Sequence, residues 1–154
     1  EMRNPNDRTR GTYLRENWEP IQDQVTTFSE YINVIPEIQM IHTSGHSNGH
    51  SIILLKQGKD TMIHMGDLML SHVHRNPLWV PAVDDYPMKS ILAKKKWLRQ
   101  AFENHYKFFF YHDQFFAVVE FDKDGKEFVD YVLRSRPPLI PFTDQQDRKP
   151  DFLG

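Results

Sequence analysis

The sequence contains no cysteine among its 154 residues. Disulfide bonds and thiolate metal sites are therefore excluded, so any metal ion here would need imidazole and carboxylate ligands. The lack of cysteine also fits a reducing compartment, and we expect a cytoplasmic protein. A net charge of −2 at pH 7 gives no overall attraction to nucleic acids or acidic membranes. Long apolar runs are missing too, and a membrane-spanning helix needs about 20 apolar residues. We therefore expect neither a nucleic acid nor a membrane as partner.

What the sequence does contain is typical of one globular domain with a hydrophobic core. Hydrophobic residues make up 39% of the chain and charged residues 26%, which are ordinary proportions for such a domain. Local composition divides the chain into three parts. We predict a loop with a short helix in residues 1–30, a folded body in residues 31–135, and an irregular, proline-rich tail in residues 136–154.

Hydrophobic periodicity predicts short strands around one long helix, which indicates an α/β or α+β fold. Two strands flank Pro36 and Glu37, one hairpin covers residues 51–65, and a second hairpin closed by an Asp-Gly turn covers residues 115–133. The long helix is predicted over residues 85–105. Its predicted cap is Asp85, and its predicted buried face consists of Met88, Ile91, Leu92, Lys95, Leu98 and Phe102.

Two further elements are predicted near functional candidates. In residues 15–28, apolar side chains recur every three or four positions and predict a short amphipathic helix with Pro20 in its first turn. An apolar strand beginning at Lys107 is predicted to run as far as His112. The apolar positions of the short helix are Trp18, Ile21, Val25 and Phe28.

Six of the eight histidines lie between positions 42 and 74. Imidazole and carboxylate together suit zinc and similar transition metals. The best-placed candidates are His46 before one strand, Asp67 after the next, and His112 after a third, because rigid elements hold ligands at strand ends. A plainer interpretation stays open for two of them. Asp67 after Gly66 fits an ordinary turn, and so does the polar break around His112.

The remaining histidines have structural explanations. His42 and His64 occupy strand positions where they can contact backbone carbonyls, and His105 ends the long helix, where a cation suits the helix dipole. His72 and His74 form a His-x-His pair, which in a loop could bind a metal but is expected to face solvent. Asp113 could orient a metal ligand or form a turn.

Three segments resemble the metallo-β-lactamase superfamily, in that family's order. HTSGHSNGHSIILL resembles the T-P-G-H-T-x-G-H segment, with Ser44 in place of the proline. MIHMGDLM resembles the strand that ends in the bridging aspartate, and FFFYHD resembles the segment carrying the last metal histidine. The stretch PAVDDYPMKSILAKKKWL looks like the opening of the family's long helix. The resemblance covers residues 31–121, and the GHSNGHS and GD segments look most like quorum-quenching N-acyl-homoserine lactone lactonases.

This resemblance implies roles for particular residues. His46 would ligate the first of two divalent metal ions, with zinc expected, and His112 would ligate the second. Asp67 would bridge both ions and is the predicted catalytic residue, while His50 would be a supporting residue. A metal-bound hydroxide would then attack the carbonyl of a lactone and open its ring.

The chain also departs from the family pattern. The H-x-H-x-D-H motif is missing from the sequence, and Leu70 stands where some lactonases have a tyrosine. Since the chain starts at Glu1, we expect it to be the C-terminal part of an αββα sandwich, with residues 31–135 forming the C-terminal half of that domain. Such a chain should be inactive alone. Its expected partners are the missing N-terminal half, a small lactone and possible further copies of itself.

Three alternatives remain at this point. The chain could belong to another hydrolase of this superfamily, acting on thioesters or phosphodiesters. It could be a non-catalytic fragment that binds metal weakly. It could also process nucleic acid, since the predicted helix carries adjacent cations, although the net charge argues against this. The residues behind this last alternative are Lys94, Lys95, Lys96, Trp97 and Arg99.

Overall fold

A computed structural model of the protein describes residues 1–135. Two α-helices and seven strands lie within these residues, together with short 3₁₀ turns at Thr9–Gly11, Glu19–Gln24, Gly66–Leu68 and His72–Arg75. The helices are α1 (Arg15–Trp18) and α2 (Pro87–Glu103). The strands are β1 (Tyr31–Ile35), β2 (Ile38–His42), β3 (Ser51–Gln57), β4 (Asp60–His64), β5 (Lys107–Phe109), β6 (Phe116–Phe121) and β7 (Phe128–Leu133).

All seven strands form one sheet in sequence order, β1-β2-β3-β4-β5-β6-β7. Neighbours pair antiparallel except β4 and β5, which are parallel and are joined through α2. Parallel pairing places the ends of β4 and β5 at the same edge of the sheet. Because β3 runs antiparallel to β4, with Ile53 opposite His64, the start of β3 lies at that edge as well. The topology therefore gathers the three segments that carry His46, Asp67 and His112.

The core lies between α2 and one face of the sheet. Leu98 and Ala101 of α2 are buried together with side chains from β3, β4, β5 and β6. Aromatic rings fill much of this layer, and Phe108 and Phe121 meet edge to face with ring centroids 5.5 Å apart. The buried hydrophobic residues of this cluster are Ile52, Leu54, Ile63, Met65, Leu68, Met69, Trp97, Leu98, Ala101, Phe108, Phe110, Phe116, Val119 and Phe121.

The predicted buried face of α2 is only partly correct: Leu98 is buried and Phe102 packs against the core, as predicted. Met88 and Leu92 are 68% and 64% exposed, while two polar residues, Ser90 and Lys94, are fully buried. The helix starts close against Gly45, whose carbonyl accepts a hydrogen bond from the amide of Tyr86. Only a small side chain fits at this close approach, and Ser90 occupies it. The side of α2 that is buried therefore depends on this backbone contact. The buried positions are Ser90, Lys94, Trp97, Leu98 and Ala101.

Lys94 shows why a polar residue can occupy this face. Its ammonium donates hydrogen bonds to the carbonyl of Asn76 at 2.9 Å and to that of Trp79 at 2.6 Å. Burial lowers the pKa of Lys94 to about 8, because the charged form loses its hydration. Lys94 is therefore buried, and its two hydrogen bonds connect residues 76–79 to α2. Its neighbours Lys95 and Lys96 and the nearby Arg99 are exposed, so Lys94 alone is withdrawn from the cationic cluster behind the nucleic-acid alternative.

Asp85 does not cap α2, contrary to the prediction. The cap position is Tyr86, without a side-chain hydrogen bond, and Pro87 occupies the first turn as expected. Asp85 instead accepts a hydrogen bond from Nε of Arg8 at 2.6 Å. We define residues 1–28 as the N-terminal segment. Asp85 forms an ion pair with this segment and does not cap the helix.

The other elements predicted within residues 1–135 are present, although two of them are shorter than expected. The strand pair around Pro36 and both hairpins have ends within about two residues of those predicted. The predicted helix over residues 15–28 is reduced to α1 and a 3₁₀ turn in which Pro20 occupies the first turn. The strand expected to reach His112 ends at Phe109. The predicted tail, residues 136–154, lies outside the described residues.

The outer strands expose apolar side chains. Tyr31 and Val34 of β1 are 58% and 55% exposed, and β7 exposes four apolar residues. A large uncovered apolar surface favours association, in agreement with the expected missing half of a sandwich. In residues 1–135, no helix is long and apolar enough to cross a membrane. The four exposed residues of β7 are Val129, Tyr131, Val132 and Leu133.

Candidate metal centre

Three loops meet at the edge where β3 begins and β4 and β5 end. Asp67 lies in the 3₁₀ turn after β4, His112 follows β5, and His46 lies in residues 43–50, which we call the His46 loop. Nε2 of His46 lies 3.4 Å from Oδ2 of Asp67, and Nε2 of His112 lies 3.4 Å from Oδ1 of the same carboxylate. The structure therefore brings together all three residues that the sequence singled out.

The spacing of these atoms fits metal ligands better than hydrogen-bond partners. A hydrogen bond between nitrogen and oxygen is usually about 2.7–3.2 Å long. Two ligand atoms that each lie about 2.1 Å from one tetrahedral zinc ion are about 3.4 Å apart. Each oxygen of Asp67 faces a different imidazole, so one carboxylate could connect two ions. The donor set of nitrogen and oxygen also suits zinc.

The described residues do not complete either site. Within residues 1–135 no group of three or more histidine, cysteine, aspartate or glutamate side chains is arranged to hold a metal ion. Each side of Asp67 offers one imidazole and one carboxylate oxygen, whereas a zinc site in proteins usually has three or four protein ligands. On their own, these three side chains could form only part of a ligand set.

Asp84 holds His46 in place. Its Oδ1 lies 2.9 Å from Nδ1 of His46, which turns Nε2 of that ring toward Asp67. The Asp84 side chain is fully buried, and its Oδ2 has no hydrogen-bond partner among the described residues. A buried carboxylate is costly unless positive charge compensates it. The charge of Lys94 acts on Asp84 and supplies part of this compensation, and a cation beside His46 would add to it.

His50 supports Asp67 through the backbone. Its Nε2 accepts a hydrogen bond from the amide of Asp67 at 3.1 Å, and its Nδ1 lies 2.8 Å from the hydroxyl of Thr43. Burial, followed by the nearby His46, lowers the pKa of His50 to about 4. The ring is therefore neutral and can keep accepting this bond. A Cβ on Gly66 would lie 2.6 Å from Nε2 of His50, so a glycine is needed there.

Tyr111 also contacts Asp67. Its hydroxyl donates a hydrogen bond of 2.6 Å to Oδ1, the oxygen that faces His112. The Tyr111 ring stacks on His64, with centroids 5.1 Å apart and planes 9° apart. Burial and the bond to Asp67 raise the pKa of Tyr111 to about 12, so the phenol remains protonated near neutral pH. This places a proton donor at the exposed side of the carboxylate.

The other candidate residues lie apart from this centre or serve its surroundings. Nε2 of His42 lies 2.7 Å from the carbonyl of Asn48, as its strand position predicted. His105 has the left-handed φ of 55° just after α2 and lies 3.3 Å from Glu120. Nδ1 of His64 accepts a hydrogen bond from the amide of Gly66, which replaces the predicted contact with a carbonyl.

The expectation that His72 faces solvent is wrong. His72 is only 4% exposed, and its Nδ1 lies 2.6 Å from Oδ2 of Asp113. Burial would raise the pKa of Asp113, but hydrogen bonds from His72, Phe116 and Phe115 outweigh it and lower the pKa to about 2. Asp113 therefore fixes a turn and orients His72, while His74 contacts Ser71. None of these contacts orients His112.

Two residues at the centre were missed by the sequence analysis. Asp84 was passed over because its neighbour Asp85 looked like a helix cap, and Tyr111 was counted as part of a strand. The pair of acids directly before a helix was the available signal for Asp84. Nothing in the spacing indicated that the Tyr111 hydroxyl would reach Asp67, because that contact depends on the parallel pairing of β4 and β5.

The shape of the His46 loop depends on two residues with positive φ. Ser44 has φ 58°, which proline cannot adopt. The backbone conformation at this position therefore excludes the proline that the resembled motif has there. Gly45 has φ 105°, and a Cβ there would lie 2.6 Å from Oγ and 2.9 Å from Cα of Ser90. The loop can therefore approach α2 only with glycine at position 45.

Gly45→Ala is expected to destabilise the protein strongly. The left-handed backbone costs an L-residue about 1–2 kcal/mol, and overpacking against the Ser90 backbone adds about 1–3 kcal/mol. Gly58→Ala is the matched control, since Gly58 has φ 60° but no atom within 4 Å of the position that an added methyl group would occupy. Urea unfolding should show a larger loss of free energy for Gly45→Ala. Equal losses for the two variants would show that the contact with Ser90 is unimportant.

The overall fold is similar to those of known hydrolases. A probable metal-dependent hydrolase from Staphylococcus aureus superposes with a TM-score of 0.84 at 37% identity, over 89% of this chain and 50% of that one. AidC, a dizinc quorum-quenching lactonase, superposes with a TM-score of 0.60 at 17% identity, over 77% of this chain and 41% of that one. AbOPH, a hydrolase of the β-lactamase superfamily, superposes with a TM-score of 0.61 at 19% identity, over 88% of this chain and 50% of that one.

Comparison with protein-family models and with curated protein sequences gives no match. The chain spans about half the length of the Staphylococcus aureus hydrolase. AidC and AbOPH are less than 25% identical to this chain and support only its fold. The Staphylococcus aureus hydrolase is similar to this chain in sequence as well, at 37% identity. The described residues have the fold of part of these metal-dependent hydrolases, which confirms the α/β fold class and agrees with the resemblance that the three motifs carry.

Proposed function

We propose that this chain contributes His46, Asp67 and His112 to a dinuclear metal centre of a hydrolase that opens lactone rings. The observation that supports this most directly is the Asp67 carboxylate, whose two oxygens each lie 3.4 Å from a different histidine Nε2. The remaining ligands would come from outside residues 1–135, because these residues contain no complete site. The chain alone should therefore be inactive.

The residues of this chain would have distinct tasks. His46 and His112 would each hold one ion, and Asp67 would connect the two. Bound there, two divalent ions would polarise a substrate carbonyl and lower the pKa of a water molecule. Asp84 would keep the His46 ring oriented, and His50 would hold the backbone of Asp67. Such supporting contacts matter because ligands must be positioned before the metal can act.

Tyr111 would supply a polar contact on the open side of the centre. Its hydroxyl already lies within hydrogen-bond distance of Asp67 and stays protonated near neutral pH. The phenol has one proton, which it gives to Asp67, so the hydroxyl would have to turn from Asp67 to donate to a lactone carbonyl that approaches between Asp67 and His112. Hydrogen-bond donors directed at a developing oxyanion stabilise it.

The lactone assignment draws on the sequence motifs and on the named activity of one structural neighbour, AidC, a dizinc quorum-quenching lactonase. Activity and metal content test it together. The full-length protein loaded with zinc should bind two ions and hydrolyse N-acyl-homoserine lactones. The 154-residue chain should bind less than one ion and show no hydrolysis.

Two results would contradict this proposal in different ways. Two tightly bound ions in the 154-residue chain would mean that further residues of the chain complete the sites. Hydrolysis of thioesters or phosphodiesters, with no activity across a panel of lactones, would overturn the substrate class and leave the metal centre in place.

A further inference from the structure

The side of α2 that points away from the sheet forms one continuous surface, which we call the outer face of α2. Its residues are all exposed, and at 3.6 residues per turn they fall within an arc of about 120° around the helix axis. Two of them are apolar and four are cations. The outer face consists of Met88, Lys89, Leu92, Lys95, Lys96 and Arg99.

The positive charges of the outer face have no neutralising acids beside them. Among residues 1–135, none of its four cations forms an ion pair with a carboxylate. The single acid of α2 is Glu103, at the last position of the helix, and Asp85 before the helix already pairs with Arg8. Because exposed charges more than about 10 Å apart are largely screened, this face is positive although the whole chain carries a charge of −2.

The first two turns of the outer face carry its apolar side chains. Met88 and Leu92 are 68% and 64% exposed, and the ring of Tyr86 directly before the helix is 39% exposed. The ammonium of Lys89 lies 4.4 Å from the centre of that ring, so a cation stands beside the apolar groups. Helices that lie on a bilayer combine these two features, since apolar side chains enter the acyl region while Lys and Arg meet anionic headgroups.

The shape and position of the outer face suit a broad, flat partner. None of its residues lines the cleft beside the candidate metal centre or the cleft beside Trp79. A bound peptide helix or an extended Pro-rich peptide usually lies in a groove. The missing half is expected on the sheet face opposite α2, so association of the two halves would leave the outer face open.

We infer that the outer face of α2 binds the surface of an anionic lipid bilayer, with Met88 and Leu92 entering between the headgroups. A second copy of the chain fits this face less well, because the same cations would meet one another. A nucleic acid would neutralise the cations but leave both apolar side chains in water. The inference does not depend on the proposed hydrolase function.

The test measures co-sedimentation of the full-length protein with lipid vesicles. Vesicles with about one third phosphatidylserine in phosphatidylcholine should bind it at least about tenfold more tightly than phosphatidylcholine alone, since each cation near an anionic surface contributes about fivefold. Lys95→Glu combined with Lys96→Glu should weaken this binding about 25-fold or more. Raising the salt concentration should weaken binding of the wild type as well.

The matched control is Lys56→Glu combined with Lys59→Glu. It changes the net charge by the same amount at exposed positions of the β3–β4 hairpin, and it should bind the vesicles within about twofold of the wild type. Circular dichroism checks that each variant is folded. If the double change in α2 disturbs the fold, Arg99→Gln removes one cation and should weaken binding about fivefold.

The apolar contribution has its own test. Met88→Ser combined with Leu92→Ser should weaken binding to the same vesicles about tenfold, the effect of leaving about 55 Å² of apolar surface in water. The matched control is Leu14→Ser combined with Val25→Ser, at positions 43% and 55% exposed in the N-terminal segment. This control should leave vesicle binding unchanged.

Three results would overturn the inference. Equal weakening by the two lysine double variants would show an effect of overall charge and not of the outer face. Failure to bind the anionic vesicles, together with tight binding to single-stranded RNA that Lys95→Glu and Lys96→Glu abolish, would identify a nucleic-acid surface. Failure to bind the vesicles together with binding to polyglutamate would identify an acidic protein as the partner.

Discussion

Asp67→Asn is expected to abolish hydrolysis by the full-length protein, with a loss of about 10³-fold or more in kcat. The substitution keeps the size of the side chain but removes the charge that both histidines face. A metal centre accelerates hydrolysis partly by lowering the pKa of a bound water to near neutral. Without a carboxylate that connects both ions, one ion should be lost and this effect with it.

Metal content measured by elemental analysis distinguishes this cause from misfolding. Asp67→Asn should bind about one ion where the wild type binds two, while its circular dichroism spectrum stays unchanged. Asp60→Asn is the matched control, since Asp60 is an exposed acid at the start of β4. Retention of two ions and normal activity in Asp67→Asn would exclude Asp67 as the bridging ligand.

Asp84→Asn is expected to weaken metal binding about 10–100-fold, which is the usual cost of removing a residue that orients a metal-bound histidine. Asp84 contacts Nδ1 of His46, so the variant would leave the ring free to turn and would remove a buried negative charge. The effect should appear as a higher dissociation constant for zinc in a competition assay with a chelator. Activity at saturating zinc should recover in large part.

Asp85→Asn offers a control one residue away. The Asp85 side chain pairs with Arg8, while its hydrogen bond with His46 is between backbone atoms and would survive the substitution. Loss of the ion pair should loosen the N-terminal segment and leave the zinc dissociation constant within about twofold of the wild type. An equal loss of zinc affinity in both variants would mean that Asp84 acts through general stability and does not position His46.

Strand pairing and the candidate ligands could be predicted from the sequence because both depend on local patterns. Alternating apolar residues and turn residues indicated the two hairpins, and the structure contains both. His46, Asp67 and His112 were identified because each stands at a strand end within a recognisable motif. Their role as metal ligands stays a prediction, while their proximity is a property of the fold.

The errors arise where long-range contacts override local preference. Asp85 is a good helix cap by composition, but Arg8, distant in sequence, provides an ion pair. Met88 and Leu92 belong to an apolar pattern, yet the approach of Gly45 to Ser90 rotates the helix and leaves them exposed. Hydrophobic periodicity gives no information about which distant segment packs against a helix. Neither the Asp85–Arg8 ion pair nor the exposure of Met88 and Leu92 could therefore be inferred from it.

By itself, the sequence determined the type of chemistry available, since a chain without cysteine but with histidines and acids at strand ends can bind a metal only through imidazole and carboxylate. Only the tertiary structure decided how those groups meet. The parallel pairing of β4 and β5 brings His112 to Asp67, and the fold of the His46 loop onto α2 brings Asp84 to His46. The physical reason is that ligand distances depend on contacts between segments far apart in sequence.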